Sequence, residues 1–274
     1  MGLSSNILWH QTSEDGFYEI LKSRELRYSY SLERIIPLFG LKPVAFPMIS
    51  VSDYPFSEIG NNKWTYGDYC IGFSQKWGEH VGFTPVCYCS YGSRILQQLN
   101  DLLDSAIKIK SKELVELAMS MFSHMKFVEA SLKTKKQLFK KYRFYDEREW
   151  RVIPSTTETD KVEVLSYLTE KEYKDFKENN DGKSLLKIGV NFQYDDIHYI
   201  IVKTKDDVIK TKDIVGNNIH LFTKNEIIED VIGVEHHEEI LPSQQQLDME
   251  AALRHIERVK KDIDKLLTIK RKKQ

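Results

Sequence analysis

The 274-residue sequence has little of what several protein classes require. It holds three cysteines, Cys70, Cys87 and Cys89, an odd set among apolar residues, so we expect free thiols in a reducing compartment and no disulfide scaffold. No apolar run approaches the roughly 18 residues of a membrane span, and residues 1–10 lack the basic and apolar pattern of a secretory signal. We therefore expect a cytoplasmic protein with no membrane partner.

The chain also has no large net charge, because its 40 Lys and Arg residues nearly balance its 41 Asp and Glu residues. This balance argues against a broad basic surface for duplex nucleic acid. Basic residues do collect locally, in Lys135–Arg151 and in a tail that ends in Lys270–Lys273, and both are candidate nucleic-acid contacts. Apolar residues at helical spacing over Leu247–Leu267 predict an amphipathic tail helix. It would pack on its own domain, or it would contact a partner.

The pattern of apolar residues predicts a single α+β domain over residues 1–240, with mixed short strands and inserted helices, followed by the basic C-terminal helix or tail at 241–274. The predicted strands are Val44–Val51, Tyr69–Phe73, Pro85–Tyr88, Phe144–Ile153, Val162–Leu165, Leu186–Val190 and Ile197–Lys203. The predicted helices are Ser13–Lys22, Ser90–Ala106, Lys110–Tyr142, Glu170–Lys177, Asp206–Ile214 and Lys224–Ile228.

Common catalytic motifs are missing from the chain. It has no GxxxxGKS/T loop, GxGxxG loop, GxSxG elbow or HExxH helix, which argues against the usual nucleotide, hydrolase and metalloprotease sites. Cys87 and Cys89 have no second pair of ligands, and His236 and His237 would point apart in a strand or loop. We therefore expect no metal site.

The segment Trp9–Thr12 is the first that carries candidate chemistry. In an opening strand His10 and Thr12 project from the same face, and both side chains can hydrogen-bond a sugar hydroxyl or a carboxamide. The alternative is structural: Thr12 or Ser13 caps the following helix and His10 is a core residue.

The second is Tyr142–Pro154, which includes the string Asp-Glu-Arg-Glu-Trp-Arg. If this segment is a strand, Glu147, Glu149 and Arg151 share a face with Tyr145. The two carboxylates repel, so Arg148, Arg151, a lysine on another strand or a ligand must compensate them. Such a carboxylate can bind a ribose hydroxyl and stabilise an oxocarbenium ion. The alternative is a solvated charge ladder on an outer sheet face.

At these residues the sequence resembles the AbiGi family of abortive-infection, phage-resistance proteins. The matching segments span most of the chain, and Asp146–Arg151 is the most specific of them. They are Asn6–His10, Phe46–Pro55, Tyr66–Ser74, Thr84–Tyr88, Phe144–Pro154 and Asp196–Val202. The resemblance implies the antitoxin half of a two-gene module, which neutralises a nucleotidyltransferase-like partner.

The order of features is also similar, more distantly, to that of the ADP-ribosyltransferases. That resemblance implies that the α+β domain is a single ADP-ribosyltransferase-like domain. It also implies that His10 and Thr12 hold the nicotinamide ribose and carboxamide of NAD, and that Tyr30 or Ser52 takes the second-strand role. It implies Glu149 as the catalytic carboxylate and Glu147 as the group that orients the nucleophile. The helix after His10 lacks the closing glycine of that pattern, and no Ser-Thr-Ser triplet is present.

Two functions follow from these resemblances. The first is an ADP-ribosyltransferase-like enzyme of phage defence, which transfers ADP-ribose from NAD to a nucleic-acid or protein target. The second is a non-catalytic antitoxin that binds and neutralises a cognate toxin through the acidic Glu226–Glu239 region or the tail helix.

Overall fold

The computed structural model describes residues 6–36, 39–40, 42–55, 59, 66–133, 138–155 and 164–227. The predicted tail segment 241–274, His236 and His237, most of the Glu226–Glu239 region and half of the predicted Val162–Leu165 strand lie outside these ranges.

Short strands and helices are interspersed along the described chain. The strands are β1 (Ile7–Thr12), β2 (Glu25–Glu33), β3 (Val44–Ser52), β4 (Tyr69–Ser74), β5 (Thr84–Pro85), β6 (Cys87–Cys89), β7 (Met125–Phe127), β8 (Glu129–Lys133), β9 (Leu138–Arg143), β10 (Glu149–Val152), β11 (Leu168–Thr169), β12 (Leu185–Asn191), β13 (Ile197–Val202) and β14 (His220–Thr223). The α-helices are α1 (Glu14–Ser23), α2 (Gln75–His80), α3 (Arg94–Lys108), α4 (Lys112–Ser123), α5 (Glu170–Glu178) and α6 (Lys205–Val215). Two 3-10 segments, Phe144–Glu147 and Tyr194–Asp196, complete the list, and residues 224–227 form a further helical turn.

Most strands join one mixed sheet in the order β12-β2-β3-β1-β4-β13-β14. Strand β3 pairs with strands of both halves of this sheet. One edge of β3 pairs with β2 and then with β1, while its other edge pairs with β11 and then with β10. All these pairs are antiparallel, whereas β13 and β14 are parallel. The β3 sequence is almost continuously apolar because its side chains are buried on both faces of the sheet.

Apolar side chains are buried on both faces of the sheet. On one face Leu8, Ile71 and Val152 pack against α1 and α6, which contribute Phe17 and Val208 to the same cluster. The opposite face carries a smaller cluster around Trp9, Cys70 and Ile201. A third cluster joins helices α3 and α4 to the first half of β3. The chain is therefore a mixed α and β structure whose sheet is covered on both faces.

Helix α1 confirms the predicted start at Ser13, whose hydroxyl accepts a hydrogen bond from the Gly16 amide. Arg24, with φ at 54°, ends the helix in the left-handed region. Helices α5 and α6 begin with reciprocal capping boxes at Thr169 and Thr204, close to the predicted starts.

Two predicted elements are wrong in part, the described half of the predicted strand Val162–Leu165 is not a strand, and β2, β11, β14 and α2 have no counterpart in the prediction. The predicted helix Lys110–Tyr142 is wrong beyond Ser123, because β7, β8 and β9 follow α4. The lack of Pro and Gly permitted a helix there, but pairing of Met125 with the distant Cys87 favours a strand. The predicted strand Phe144–Ile153 is wrong in its first half, which is a 3-10 turn.

Candidate functional site

Strand β10 supplies the centre of a buried charged cluster. Glu149 and Arg151 are two residues apart, so they share a face, and Arg151 has no exposed surface. The Arg151 Nε donates to Glu149 Oε1 at 2.7 Å, and its Nη2 donates to Glu149 Oε2 at 3.0 Å. The same guanidinium also donates to the Ser123 carbonyl and pairs with Glu33 of β2. This bidentate pair fixes the Glu149 carboxylate in one orientation.

Lys126 of β7 bridges the two carboxylates of the Asp-Glu-Arg-Glu string. Its Nζ lies 2.9 Å from Glu147 Oε2 and 2.7 Å from Glu149 Oε2. The Tyr66 hydroxyl donates to the remaining Glu147 oxygen, Oε1, at 2.9 Å. All four carboxylate oxygens of Glu147 and Glu149 therefore accept hydrogen bonds from the chain itself. The predicted compensation by Arg151 and by a lysine from another strand is confirmed.

A local distortion brings Glu147 into this cluster. The 3-10 turn Phe144–Glu147 ends at Arg148, whose φ of 45° lies in the left-handed region. The Arg148 carbonyl accepts the Asp53 amide at 3.0 Å, and the Glu149 amide donates to the Tyr88 hydroxyl at 2.8 Å. Glu147 thus reaches Lys126 through a turn, and not through the strand alternation that the sequence predicts.

The pairing shifts the pKa values of the charged groups. Burial by itself raises the pKa of Glu149, but Arg151 and Lys126 outweigh burial and hold it well below its ordinary value. Burial lowers the pKa of Lys126, and the carboxylates of Glu149, Glu33 and Glu147 together raise it above its ordinary value. Both groups stay ionised at neutral pH, so Glu149 is a permanent anion paired with permanent cations.

Tyrosines surround Glu147. Burial raises the pKa values of Tyr54, Tyr66 and Tyr142, and the Glu147 carboxylate raises them further. The hydroxyls of Tyr66 and Tyr142 donate hydrogen bonds to the Glu147 carboxylate, whereas that of Tyr54 bonds Ser52. The cluster is therefore a closed network of acids, cations and phenols.

The structure places His10 and Thr12 on the opposite face of the sheet from Glu149. Trp9 and Glu149 each pair with Ser52 across the two edges of β3, so these three side chains share one face. His10 follows Trp9 and projects from the other face, where its Nδ1 lies 3.2 Å from the Ser50 carbonyl oxygen. Burial lowers the pKa of His10. The sheet itself separates the His10 and Glu149 side chains.

Of the two second-strand candidates, Ser52 lies beside Glu149 and Tyr30 does not. Tyr30 pairs with Pro47 of β3, five residues from Ser52, which corresponds to roughly 16 Å along a strand. Its hydroxyl donates to the Leu165 carbonyl at 2.8 Å, and burial raises its pKa to about 12. Tyr30 is therefore bonded elsewhere in the core.

The basic segment Lys135–Arg151 offers less positive surface than its composition suggests. Arg151 is buried, Arg143 lies 3.2 Å from Asp146, and Arg148 lies 3.9 Å from Asp53. Lys141 is exposed, and Lys135 and Lys136 lie outside the described ranges. Each paired cation is partly neutralised, which weakens the expected attraction for phosphate groups.

Sequence reasoning identified neither Lys126 nor Glu33, and it did not link Tyr66 or Tyr88 to the two acids. No local motif surrounds Lys126 or Glu33, and Lys126 approaches Glu147 from 21 residues away along the chain. Among the described residues no group of His, Cys, Asp and Glu side chains is arranged to hold a metal ion. In the same part of the chain, no helix has the length and apolar character needed to cross a membrane.

Comparison with known proteins gives one family. The model of the family described as "Putative abortive phage resistance protein AbiGi, antitoxin" matches residues 20–203, which is well over half of the chain. That match includes Glu33, Lys126, Glu147, Glu149 and Arg151. Neither the curated proteins nor the solved structures contain a match to this chain.

Proposed function

This chain belongs to the AbiGi family of abortive phage resistance proteins, and we propose that it is the antitoxin of a toxin–antitoxin pair, which neutralises its toxin by binding it. The observation that carries the proposal is the family match over residues 20–203, with its antitoxin description. The toxin would be the partner protein, and no cofactor is required. We further propose a cytoplasmic location, where the free thiols of Cys70, Cys87 and Cys89 would persist.

The chemistry of the buried cluster supports a non-catalytic function. A catalytic carboxylate must offer a free oxygen to the ribose of NAD while charge develops at the reacting carbon. Each oxygen of Glu147 and Glu149 already accepts a hydrogen bond from Lys126, Arg151 or Tyr66. The side chains of Glu147 and Glu149 are also only 7% exposed, so a ribose would have little access to either carboxylate.

The positions of the other candidate residues support the same conclusion. The ADP-ribosyltransferase-like hypothesis requires His10, Thr12 and Glu149 to contact one NAD molecule. His10 projects from the face of β1 opposite to that of Trp9, and Trp9 shares its face with Glu149. The arrangement favours binding over ADP-ribosyl transfer, which was the first of the two hypotheses from the sequence.

The test is neutralisation of the toxin by this chain. The neighbouring gene of the module is expressed in a bacterial host alone, together with this chain, and together with His10→Ala. We expect growth arrest from the toxin alone, and full rescue by both the wild-type chain and His10→Ala. Failure of the wild-type chain to rescue growth, or to bind the purified toxin, contradicts the proposal.

A parallel assay addresses NAD directly. The purified chain is incubated with radiolabelled NAD and the toxin, and its melting temperature is recorded with and without millimolar NAD. We expect no label transfer and no thermal shift. Label transfer that is lost in Glu149→Gln would establish the enzyme in place of the antitoxin.

A further inference from the structure

Four tyrosines lie around the charged cluster, three of them bonded to it through Glu147 or the Glu149 amide. We call their surface the tyrosine patch: Tyr66, Tyr88, Tyr142 and Tyr145. Tyr66 is 56% exposed and Tyr145 is 52% exposed, while Tyr88 and Tyr142 are half-buried. The rings of Tyr88 and Tyr145 meet edge to face at 5.2 Å. Large exposed aromatic groups side by side are uncommon on a surface that meets only water.

The buried cluster holds the patch in a fixed conformation. The ring of Tyr66 is largely exposed, but its hydroxyl reaches inward to Glu147, whose carboxylate is anchored by Lys126. The Tyr142 hydroxyl also bonds Glu147. A tyrosine whose rotamer is fixed before binding loses little entropy in a complex, which is why such residues recur as interface hot spots.

The charges beneath the patch indicate the chemistry of its partner. Three carboxylates, those of Glu33, Glu147 and Glu149, face two cations, Lys126 and Arg151. The π faces of tyrosine rings likewise attract cations, and Arg143 already lies 5.8 Å from the centre of the Tyr145 ring. Beside the patch Arg143 is paired with Asp146 and Arg148 with Asp53, so the buried cluster keeps one excess negative charge, which repels a phosphate group and attracts a basic side chain.

From this geometry we infer that the tyrosine patch is the surface on which the antitoxin binds its toxin, and that it accepts a basic side chain of the toxin between its rings. This inference rests on the proposed function. It adds the location of the interface and the chemistry of the partner surface. Phe144 and Glu147 are buried and contact the patch: the Phe144 ring lies 4.9 Å from that of Tyr142, and Glu147 accepts the Tyr66 hydroxyl.

The test measures the affinity of the purified full-length chain for the purified toxin by calorimetry. We expect Tyr66→Ala to weaken binding about thirtyfold, the change typical of a hot-spot residue, and Tyr145→Ala at least about tenfold. Tyr66→Phe keeps the ring but loses the hydrogen bond to Glu147, so it should weaken binding less than Tyr66→Ala does. Tyr66→Lys adds a positive charge and should weaken binding more than Tyr66→Ala.

The control variants lie on another exposed apolar surface, the outer side of α4. Leu117 and Met121 are 54% and 48% exposed, so Leu117→Ala and Met121→Ala remove comparable exposed groups and should leave affinity unchanged. Circular dichroism and melting temperature confirm that each variant is folded.

The outcomes separate the two proposals. If the wild-type chain does not bind the toxin, the proposed function fails. If the wild-type chain binds and Tyr66→Ala binds equally well, the antitoxin function stands and the tyrosine patch is overturned as the interface. Binding lost in Leu117→Ala instead assigns the interface to α4. If Tyr66→Lys binds the toxin more tightly than Tyr66→Ala does, the inferred basic side chain of the toxin is overturned. If the wild-type chain binds oligouridine RNA and Tyr66→Ala does not, the patch is a nucleic-acid site and not the toxin interface.

Discussion

Lys126 is the cation on which the buried cluster depends, and Lys126→Met removes its charge while keeping most of its stem. The Nζ lies within 2.9 Å of both Glu147 and Glu149, and 4.5 Å from the centre of the Phe144 ring. After the substitution Glu149 keeps Arg151 as its partner. Glu147 keeps only hydroxyl donors among its described contacts.

The magnitude follows from that asymmetry. Removing one partner of a buried ion pair typically costs 3–5 kcal/mol, because the remaining charge is buried without compensation. Since Arg151 still compensates Glu149, we expect the lower end, about 3 kcal/mol of unfolding free energy. For a chain of this size each kcal/mol lowers the melting temperature by roughly 2–4 °C, so a decrease of roughly 6–12 °C should follow.

The assay is chemical and thermal unfolding of four proteins: wild type, Lys126→Met, Glu147→Gln and the double variant. The double variant removes the uncompensated carboxylate as well, so it should recover about half of the loss seen in Lys126→Met. The control is Lys112→Met. Lys112 and Glu116 form an exposed pair at 3.6 Å, so this substitution should cause no measurable change in the free energy of unfolding. A Lys126→Met protein as stable as the control, or a double variant less stable than Lys126→Met, would refute the reasoning.

Three other predictions concern the same framework. The pKa of Glu149 lies below its ordinary value of 4.5, so its stabilisation is complete above that pH and is lost as pH falls through the lowered pKa. In urea unfolding, the wild type should therefore be more stable than Glu149→Gln by a constant free energy at pH 5–8, and this difference should shrink below about pH 4. A difference that stays constant at all pH values contradicts this prediction. Gly67 has a φ of 153°, and Gly67→Ala would place a Cβ 1.9 Å from the Thr12 carbonyl oxygen, so the melting temperature should fall by several degrees. The control Gly92→Ala places its Cβ in open space and should leave the melting temperature unchanged. Ser13→Ala removes the cap of α1 and should cost about 1 kcal/mol in urea melts, and Ser13→Asp should restore it.

Local signals in the sequence predicted much of the secondary structure. Ser13 marked the start of α1, and the apolar run Val44–Val51 marked β3 almost to its ends. Both depend on neighbours within one turn or one strand. The helix predicted beyond Ser123 failed because the same apolar residues also suit strands, and the distant partner of β7 decided between them.

The candidate site was predicted only in part. The string Glu147–Arg151 identified the two acids, and their repulsion indicated that a cation must lie between them. The identity of that cation depended on β7, which approaches from more than 20 residues away. Likewise, strand alternation places His10 and Thr12 on one face, but only the pairing of β1 and β10 with Ser52 relates that face to Glu149.

The most direct test of the account is growth of cells that express the proposed toxin partner together with this chain or with its Glu149→Gln variant. An antitoxin that acts by binding predicts rescue by the wild-type chain, and rescue by Glu149→Gln in proportion to the amount of folded variant, with no ADP-ribose on any protein or RNA. Growth arrest caused by this chain alone, relieved by Glu149→Gln and accompanied by ADP-ribosylated products, would contradict the account.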